Sequence, residues 1–272
     1  MTNGGESMKY KNPEDNLYDT KHYKNVATQP IDIKMVDKVV KEADSILTKY
    51  DYSKKALIIF GILSFIKLGF LVIFIPVLVF FCYLSFYKNV KVNYRLTEAQ
   101  TISYNHAIID LKKVSKSKAI YWIKSRSKVK ESRYTAGASR VIERDACRIV
   151  STPPFPFETN INILSVQSKN KSVSFFPDKI IIIQDGCISL ASYEELKCEY
   201  NDISYALNGS VPSDAIILER TWQYANNDGS RDRRFRNNWQ VPVCAFGELQ
   251  ITSGERLNLL LYFSNPAPFS KY

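Results

Sequence analysis

Between Asp228 and Asn238 the chain reads Asp-Gly-Ser-Arg-Asp-Arg-Arg-Phe-Arg-Asn-Asn, which sets Arg231, Arg233, Arg234 and Arg236 within six positions and leaves Asp232 as the one acid among them. A guanidinium is a planar fork of donors that meets phosphate or carboxylate two bonds at a time. Asn237 and Asn238 add amide donors, and Trp222 and Trp239 on either side offer flat rings for stacking. The chemistry open to this set is recognition of an anion, alone or carried on a ring. The same residues would serve equally well in a long hairpin whose Arg groups bond loop carbonyls and the acids beside them. The sequence leaves both open.

Catalytic chemistry has less to work with. The chain holds two His, His22 in a polar segment and His106 inside a helical one, too few for a Cys/His zinc site or a Ser-His-Asp triad. Neither G-x-x-x-x-G-K-[ST] nor G-x-G-x-x-G occurs, so the usual glycine cradles for nucleotides are missing. Asp228, Asp232 and Glu248 are the acids that would hold Mg²⁺ beside a phosphate, but they form no tight carboxylate cluster. Five Cys are scattered without a C-x-x-C pair and read as reduced thiols. The expectation is a binding protein without cofactor or metal. An enzyme acting on a phosphorylated or nucleic-acid substrate through the Arg/Asp loop is the rival.

A second charged set is larger. The formal charge of +10 is uneven: residues 1–87 carry 11 basic and 9 acidic side chains, residues 88–148 carry 15 and 5, and residues 149–272 carry 11 and 13. The excess therefore sits in one segment, with Lys112, Lys113, Lys116, Lys124, Arg126, Lys128 and Lys130 in its body. Near an anionic bilayer each such charge is worth about 1 kcal/mol within a Debye length. The readings are a solvated basic face, docking on anionic lipid and, less favoured, contact with nucleic acid.

The elements that must position these groups are organised around Ala56 to Tyr87, a stretch whose only charge is Lys67. Such a run exceeds what a buried soluble helix usually sustains and reads as membrane-embedded. Its 32 residues would make ~48 Å of helix, too long for one straight span and too short for two full ones. Lys54 and Lys55 precede it and Lys88, Lys91 and Arg95 follow, so a hairpin turning near Lys67 and Gly69 keeps both basic flanks on the cytoplasmic side. A short or re-entrant hairpin over residues 54–90 is favoured over a single span. Met1 to Met8 hold no apolar run or cleavage pattern, so no secretory signal peptide is expected, and the expected location is a bacterial inner membrane with the carboxy-terminal domain in the cytoplasm.

Residues 1–30 lack apolar periodicity and are expected to be a disordered tail. Over residues 31–53, Val36, Val39, Val40, Ala43, Ile46 and Leu47 recur at three and four residues, an amphipathic helix expected to pack on the downstream domain because its polar face mixes both signs. Residues 91–272 form that domain. Thr97-Glu98-Ala99-Gln100 is a capping box opening a helix to about Val114. Lys118 to Arg126 reads as a strand, Ser125 to Ser139 as a basic loop, and Ala191 to Leu196 as a short turn of helix. Ser172–Phe176, Lys179–Gln184 and Cys187–Ser192 alternate with Pro177-Asp178 and Asp185-Gly186 as strand, turn, strand, turn, strand. Ile180 to Ile183 is unbroken and apolar, so that strand should be covered on both faces. Strands near 197–205, 215–224, 241–251 and 257–263 complete an α+β domain built on a mainly antiparallel sheet or small barrel with flanking helices.

The run Thr221-Trp222-Gln223-Tyr224-Ala225-Asn226-Asn227-Asp228-Gly229, continuing through Arg233-Arg234-Phe235-Arg236-Asn237-Asn238 to Pro242-Val243, resembles a bacterial domain family of unassigned activity. Ala136-Gly137-Ala138-Ser139, Phe175-Phe176-Pro177-Asp178 and Val211-Pro212-Ser213-Asp214-Ala215 join the resemblance, which covers about Tyr94 to Asn265. The chain departs from it at Ser230-Arg231, where Gly-Pro is expected. The resemblance implies a domain appended to other modules or membrane segments in bacteria and their mobile elements, and names no activity. The strand-turn-strand run ending in Tyr193-Glu194-Glu195-Leu196 is similar to pleckstrin-homology or GRAM-like barrels, a likeness of fold alone. The expected protein is thus a membrane-anchored bacterial ligand-binding, sensing or interaction domain, with the bilayer and an anionic lipid or small anionic ligand as partners. A membrane effector of a bacterial defence or toxin system is a further alternative.

Overall fold

In the computed structural model the described residues are 19–22, 33–66, 71–128, 140–169, 171–226 and 228–269, with the backbone alone at 19–22, 33–37, 65, 87, 125–128 and 140–142. In chain order the elements are β1 (Asp19–His22), α1 (Ile33–Ile66), α2 (Leu71–Tyr87), β2 (Val90–Val92), α3 (Glu98–Ala107), α4 (Ile109–Val114), β3 (Ile120–Lys128) and β4 (Arg140–Ala146). There follow β5 (Arg148–Val150), β6 (Phe157–Thr159), β7 (Leu164–Gln167), β8 (Lys171–Phe175), β9 (Ile180–Gln184), β10 (Cys187–Ala191), β11 (Leu196–Ala206), β12 (Ile216–Trp222), β13 (Gln240–Ser253) and β14 (Leu257–Phe263).

The amphipathic segment and the first apolar leg form one unbroken helix, so the boundary expected at residue 53 is not a structural one. Nothing at Ser53-Lys54-Lys55 breaks a helix, and Asp51 and Lys55 pair one turn apart at 2.6 Å. The first half of α1 does what its stripe predicts. Ala43, Ile46 and Leu47 are buried with Phe176, Ile181 and Ile183, and Val39, Ile188 and Leu190 close around them. Asp44 Oδ1 accepts from the Ile188 amide at 3.4 Å. The second half leaves the domain and packs on α2. Tyr50 stacks on Phe81 at 4.9 Å, and a Cβ on Gly61 would lie 3.6 Å from Phe74, so residue numbers rise on one helix as they fall on the other. The two helices are antiparallel. Among the described residues no helix is long and apolar enough to cross a membrane; α2 has 17 residues.

The domain is α+β and mainly antiparallel. One sheet runs β10-β9-β8-β7-β5; the other runs β1-β11-β13-β14-β3-β4, with β12 beside β14 on the same edge of β13; β2 and β6 make a short parallel pair. Turn chemistry sets the first sheet's register. Asp185 (φ 51°) and Gly186 (φ 81°) supply the two positive values of a two-residue hairpin, pairing Gln184 with Cys187. Ile180 and Ile182 enter the core between the sheets, beside Leu249, Ile251, Leu259 and Leu261. Ile181 and Ile183 enter the core under α1. The continuous Ile run is therefore buried on both faces, in three layers of helix, sheet and sheet.

Among the described residues the two sheets share no strand and no barrel closes, so the barrel alternative and the pleckstrin-homology or GRAM-like likeness give way to stacked open sheets. The capping box is present in full: Thr97 Oγ1 accepts from the Gln100 amide and Gln100 Oε1 accepts from the Thr97 amide. The helix breaks at Ile108 into α3 and α4, and Ile108, Leu111 and Val114 bury its apolar side. Between Ala191, the end of β10, and Leu196, the start of β11, the chain makes a turn instead of helix, held by the Tyr193 hydroxyl donating to the Phe176 carbonyl at 2.7 Å. Strand β3 continues to Lys128, shortening the expected loop, whose residues 129–139 lie outside the described residues. Within the expected tail, β1 pairs with β11; the rest of residues 1–30 lies outside the described residues.

Candidate functional site

The Arg loop joins β12 to β13 and is built on its two ends. Gln223 N donates to Trp239 O at 2.9 Å, and Ala225 bridges to Arg231. Asn238, 7% exposed, is the staple: its Oδ1 accepts from the Tyr224 amide at 3.0 Å, and its Nδ2 donates to Tyr224 O at 2.6 Å and to Asp232 O at 3.1 Å. Tyr224 and Phe235 stack with centroids 4.0 Å apart. Asp228 caps the turn by accepting from the Ser230 amide and hydroxyl, bonds that lower its pKa below the usual carboxylate value.

The four Arg groups divide. Arg234 turns to the buried Asp232, with Nε 2.9 Å from Oδ1 and Nη2 2.5 Å from Oδ2, a bidentate fork satisfied inside the loop. Arg231 lies over the Trp222 ring at 5.3 Å, facing solvent. Arg233 and Arg236 are exposed, as are Asn237 and Trp239. Thus of the eight residues the sequence singles out, Arg234 and Asn238 are structural. Arg231, Arg233, Arg236, Asn237 and Trp239 are exposed, and Trp222, half-buried, closes β12 beneath Arg231.

The acids do not assemble. Asp232 is closed on Arg234, Asp228 on Ser230, and Glu248 lies eight residues along β13 from Gln240, ~26 Å from the loop end. Among the described residues no three His, Cys, Asp or Glu side chains are grouped to hold a metal ion.

The basic segment is likewise dispersed. Lys112 donates to Asn105 at 2.7 Å, Lys113 pairs with Asp110 at 3.2 Å and lies over Phe269, and Lys116 is exposed. Lys124 pairs with Asp145 at 2.8 Å. Arg126 and Lys128 lie on β3 with backbone alone described, and Lys130 lies outside the described residues. Arg144, from the same segment, spreads its guanidinium over Tyr121 at 4.0 Å and Tyr205 at 5.0 Å. Sequence gives no warning of that contact, because it joins β3, β4 and β11 across the sheet.

The α1/α2 hairpin carries a further exposed surface, an apolar one. Ile58, Ile62, Val72, Val79 and Phe86 are each more than half exposed. Leu71, Val72 and Ile73 are consecutive and all exposed, and three consecutive helical positions point around most of the circumference. Among the described residues this end of α2 exposes only apolar side chains. The chain matches no family model, and neither the curated proteins nor the solved structures yield a similar chain, so the family resemblance of the 221–243 block rests on its residues alone.

Proposed function

We propose that the α1/α2 hairpin embeds in a bilayer from one side and holds the α+β domain at that surface as a recognition module. One observation carries the reading: apolar side chains are exposed over the face of α2 turned away from α1 and along Ile58, Ile59, Ile62 and Ile66 of α1, a surface that water penalises at about 25 cal/mol per Å² and hydrocarbon does not. From Ala56 to Ile66 the first leg gives ~17 Å and α2 gives ~26 Å, both short of a ~30 Å hydrocarbon layer. The hairpin therefore enters and returns. Lys54, Lys55, Lys88 and Lys91 flank its base, which by the positive-inside rule is the cytoplasmic side.

The placement of the acids supports recognition over catalysis. Each is engaged by a neighbour or remote from the Arg loop, whereas Arg231, Arg233 and Arg236 are exposed, Arg231 over the Trp222 ring, a surface for a small anion or a phosphate-bearing group. Reporter fusions to the two ends of the chain test the topology. Both are expected on the cytoplasmic face, and ends on opposite faces would replace the hairpin by a single span.

A further inference from the structure

Two contacts set the register of the α1/α2 hairpin: Tyr50 stacks on Phe81, and a Cβ on Gly61 would lie 3.6 Å from the Phe74 ring. Lys55 lies five residues beyond Tyr50 toward the tip, whereas Lys88 lies seven residues beyond Phe81 in the other direction, so at 1.5 Å per residue the two are offset by ~18 Å along the hairpin. Counted from Gly61 and Phe74, the offset is ~12 Å. The Lys residues that bound the apolar surface are therefore not level. An upright hairpin fails at one leg or the other. With hydrocarbon beginning at Lys55, the turn of α2 carrying Phe86, itself 75% exposed, would stand in water. With hydrocarbon beginning at Lys88, the exposed Lys54 and Lys55 would lie ~12–18 Å inside it, where a charge is costly.

We infer that the hairpin docks obliquely on the phospholipid leaflet it enters, with the outward face of α2 turned to the acyl chains and α1 toward the headgroups. Packed helix axes lie ~8–10 Å apart, so an offset of ~12–18 Å becomes level when the hairpin leans about 50–65° from the bilayer normal. Lys54, Lys55 and Lys88 then stand together at the headgroups. The lean turns Val79, Phe80 and Phe86 into hydrocarbon, which are the apolar side chains exposed along the lower half of α2, where Phe81 and Leu84 face inward. On that lean the ~26 Å of α2 reaches ~11–17 Å deep, about half of a ~30 Å hydrocarbon layer. The inference rests on the bilayer reading of the hairpin and adds the face and the depth at which lipid is met.

The test uses the full chain with the exposed Cys82 and Cys187 changed to Ser, a fluorophore on Ile58→Cys or on Phe86→Cys, and phosphatidylcholine vesicles bearing a nitroxide at an upper acyl carbon or near the chain end. Both labelled positions are more than half exposed, so the melting temperature is expected to match that of the unlabelled chain. The oblique dock sets the two labels at one shallow depth: the upper nitroxide is expected to quench both, within about twofold of each other, and more than the terminal one does. Quenching of the Ile58→Cys label alone, or its stronger quenching by the terminal nitroxide, would overturn the oblique dock and leave the hairpin embedded upright. Quenching of neither label would overturn the dock and the bilayer reading together.

Discussion

Arg234 closes on Asp232 two residues before it, and Asp232 is only 2% exposed while the Arg234 side chain is 64% exposed. The pair fixes the crown of the β12–β13 loop from beneath, since Asp232 also accepts from the Arg234 amide at 3.0 Å. Removing the acid strips several donors of their acceptor at a buried position. Asp232→Ala is expected to cost about 1–3 kcal/mol in urea unfolding. Arg233→Gln and Arg236→Gln, which change exposed side chains, are expected to leave the midpoint unchanged and to weaken any inorganic phosphate binding seen by calorimetry. Unfolding by Arg233→Gln as severe as that by Asp232→Ala would show the exposed Arg groups to be structural too.

Gly247 sits inside β13 opposite Phe263, and a Cβ built on it would collide with the Phe263 ring, which is fully buried. The ring occupies the space a side chain would take, so the glycine is required by packing. Gly247→Ala is expected to destabilise by about 1–3 kcal/mol, seen as a lowered melting temperature. Phe263→Leu in the same background should recover part of the loss, because the smaller side chain vacates the space.

Three hydroxyls converge on the β8–β9 turn: Tyr94 donates to Asp178 at 2.7 Å, Tyr104 to Phe175 O at 2.6 Å and Tyr193 to Phe176 O at 2.7 Å. Burial raises all three pKa values above the ordinary ~10, Tyr104 to about 12, with the Asp178 charge adding to Tyr94. A raised folded pKa gives stability that is complete below the unfolded value of ~10 and is lost as pH rises through the folded values. Unfolding free energy is therefore expected to be flat up to pH ~10 and to fall above it, with a shallower fall in Tyr104→Phe. An identical alkaline slope in Tyr104→Phe would remove that hydroxyl from the account.

The sheet was largely legible because its signals are local. Asp185-Gly186 dictates a two-residue turn, Ile180 to Ile183 advertises two buried faces, and Thr97 and Gln100 form a box whose two bonds lie within one turn. What was hidden depends on contacts between distant segments. Whether strands close into a barrel is decided by which edges meet, and a four-residue β1 carries too little apolar pattern to be read as a strand. At the loop, the Arg count and spacing are plain in the sequence, but the choice of Arg234 for Asp232 depends on the Asn238 staple that brings Tyr224 and Asp232 together. Likewise the stripe of α1 predicts packing but not that the helix runs on into the hairpin.

The central claim is that the hairpin, and not the basic segment, holds the protein to a bilayer, and flotation with vesicles separates the two. The full chain is expected to float with neutral and anionic vesicles alike and to stay bound at ~1 M salt, where the Debye length falls to ~3 Å. A variant carrying Ile58→Glu, Ile62→Glu, Val72→Glu and Val79→Glu, with its sheet signal in circular dichroism intact, is expected to remain at the bottom of the gradient. A full chain that stays at the bottom, or that salt strips from anionic vesicles, would contradict the account.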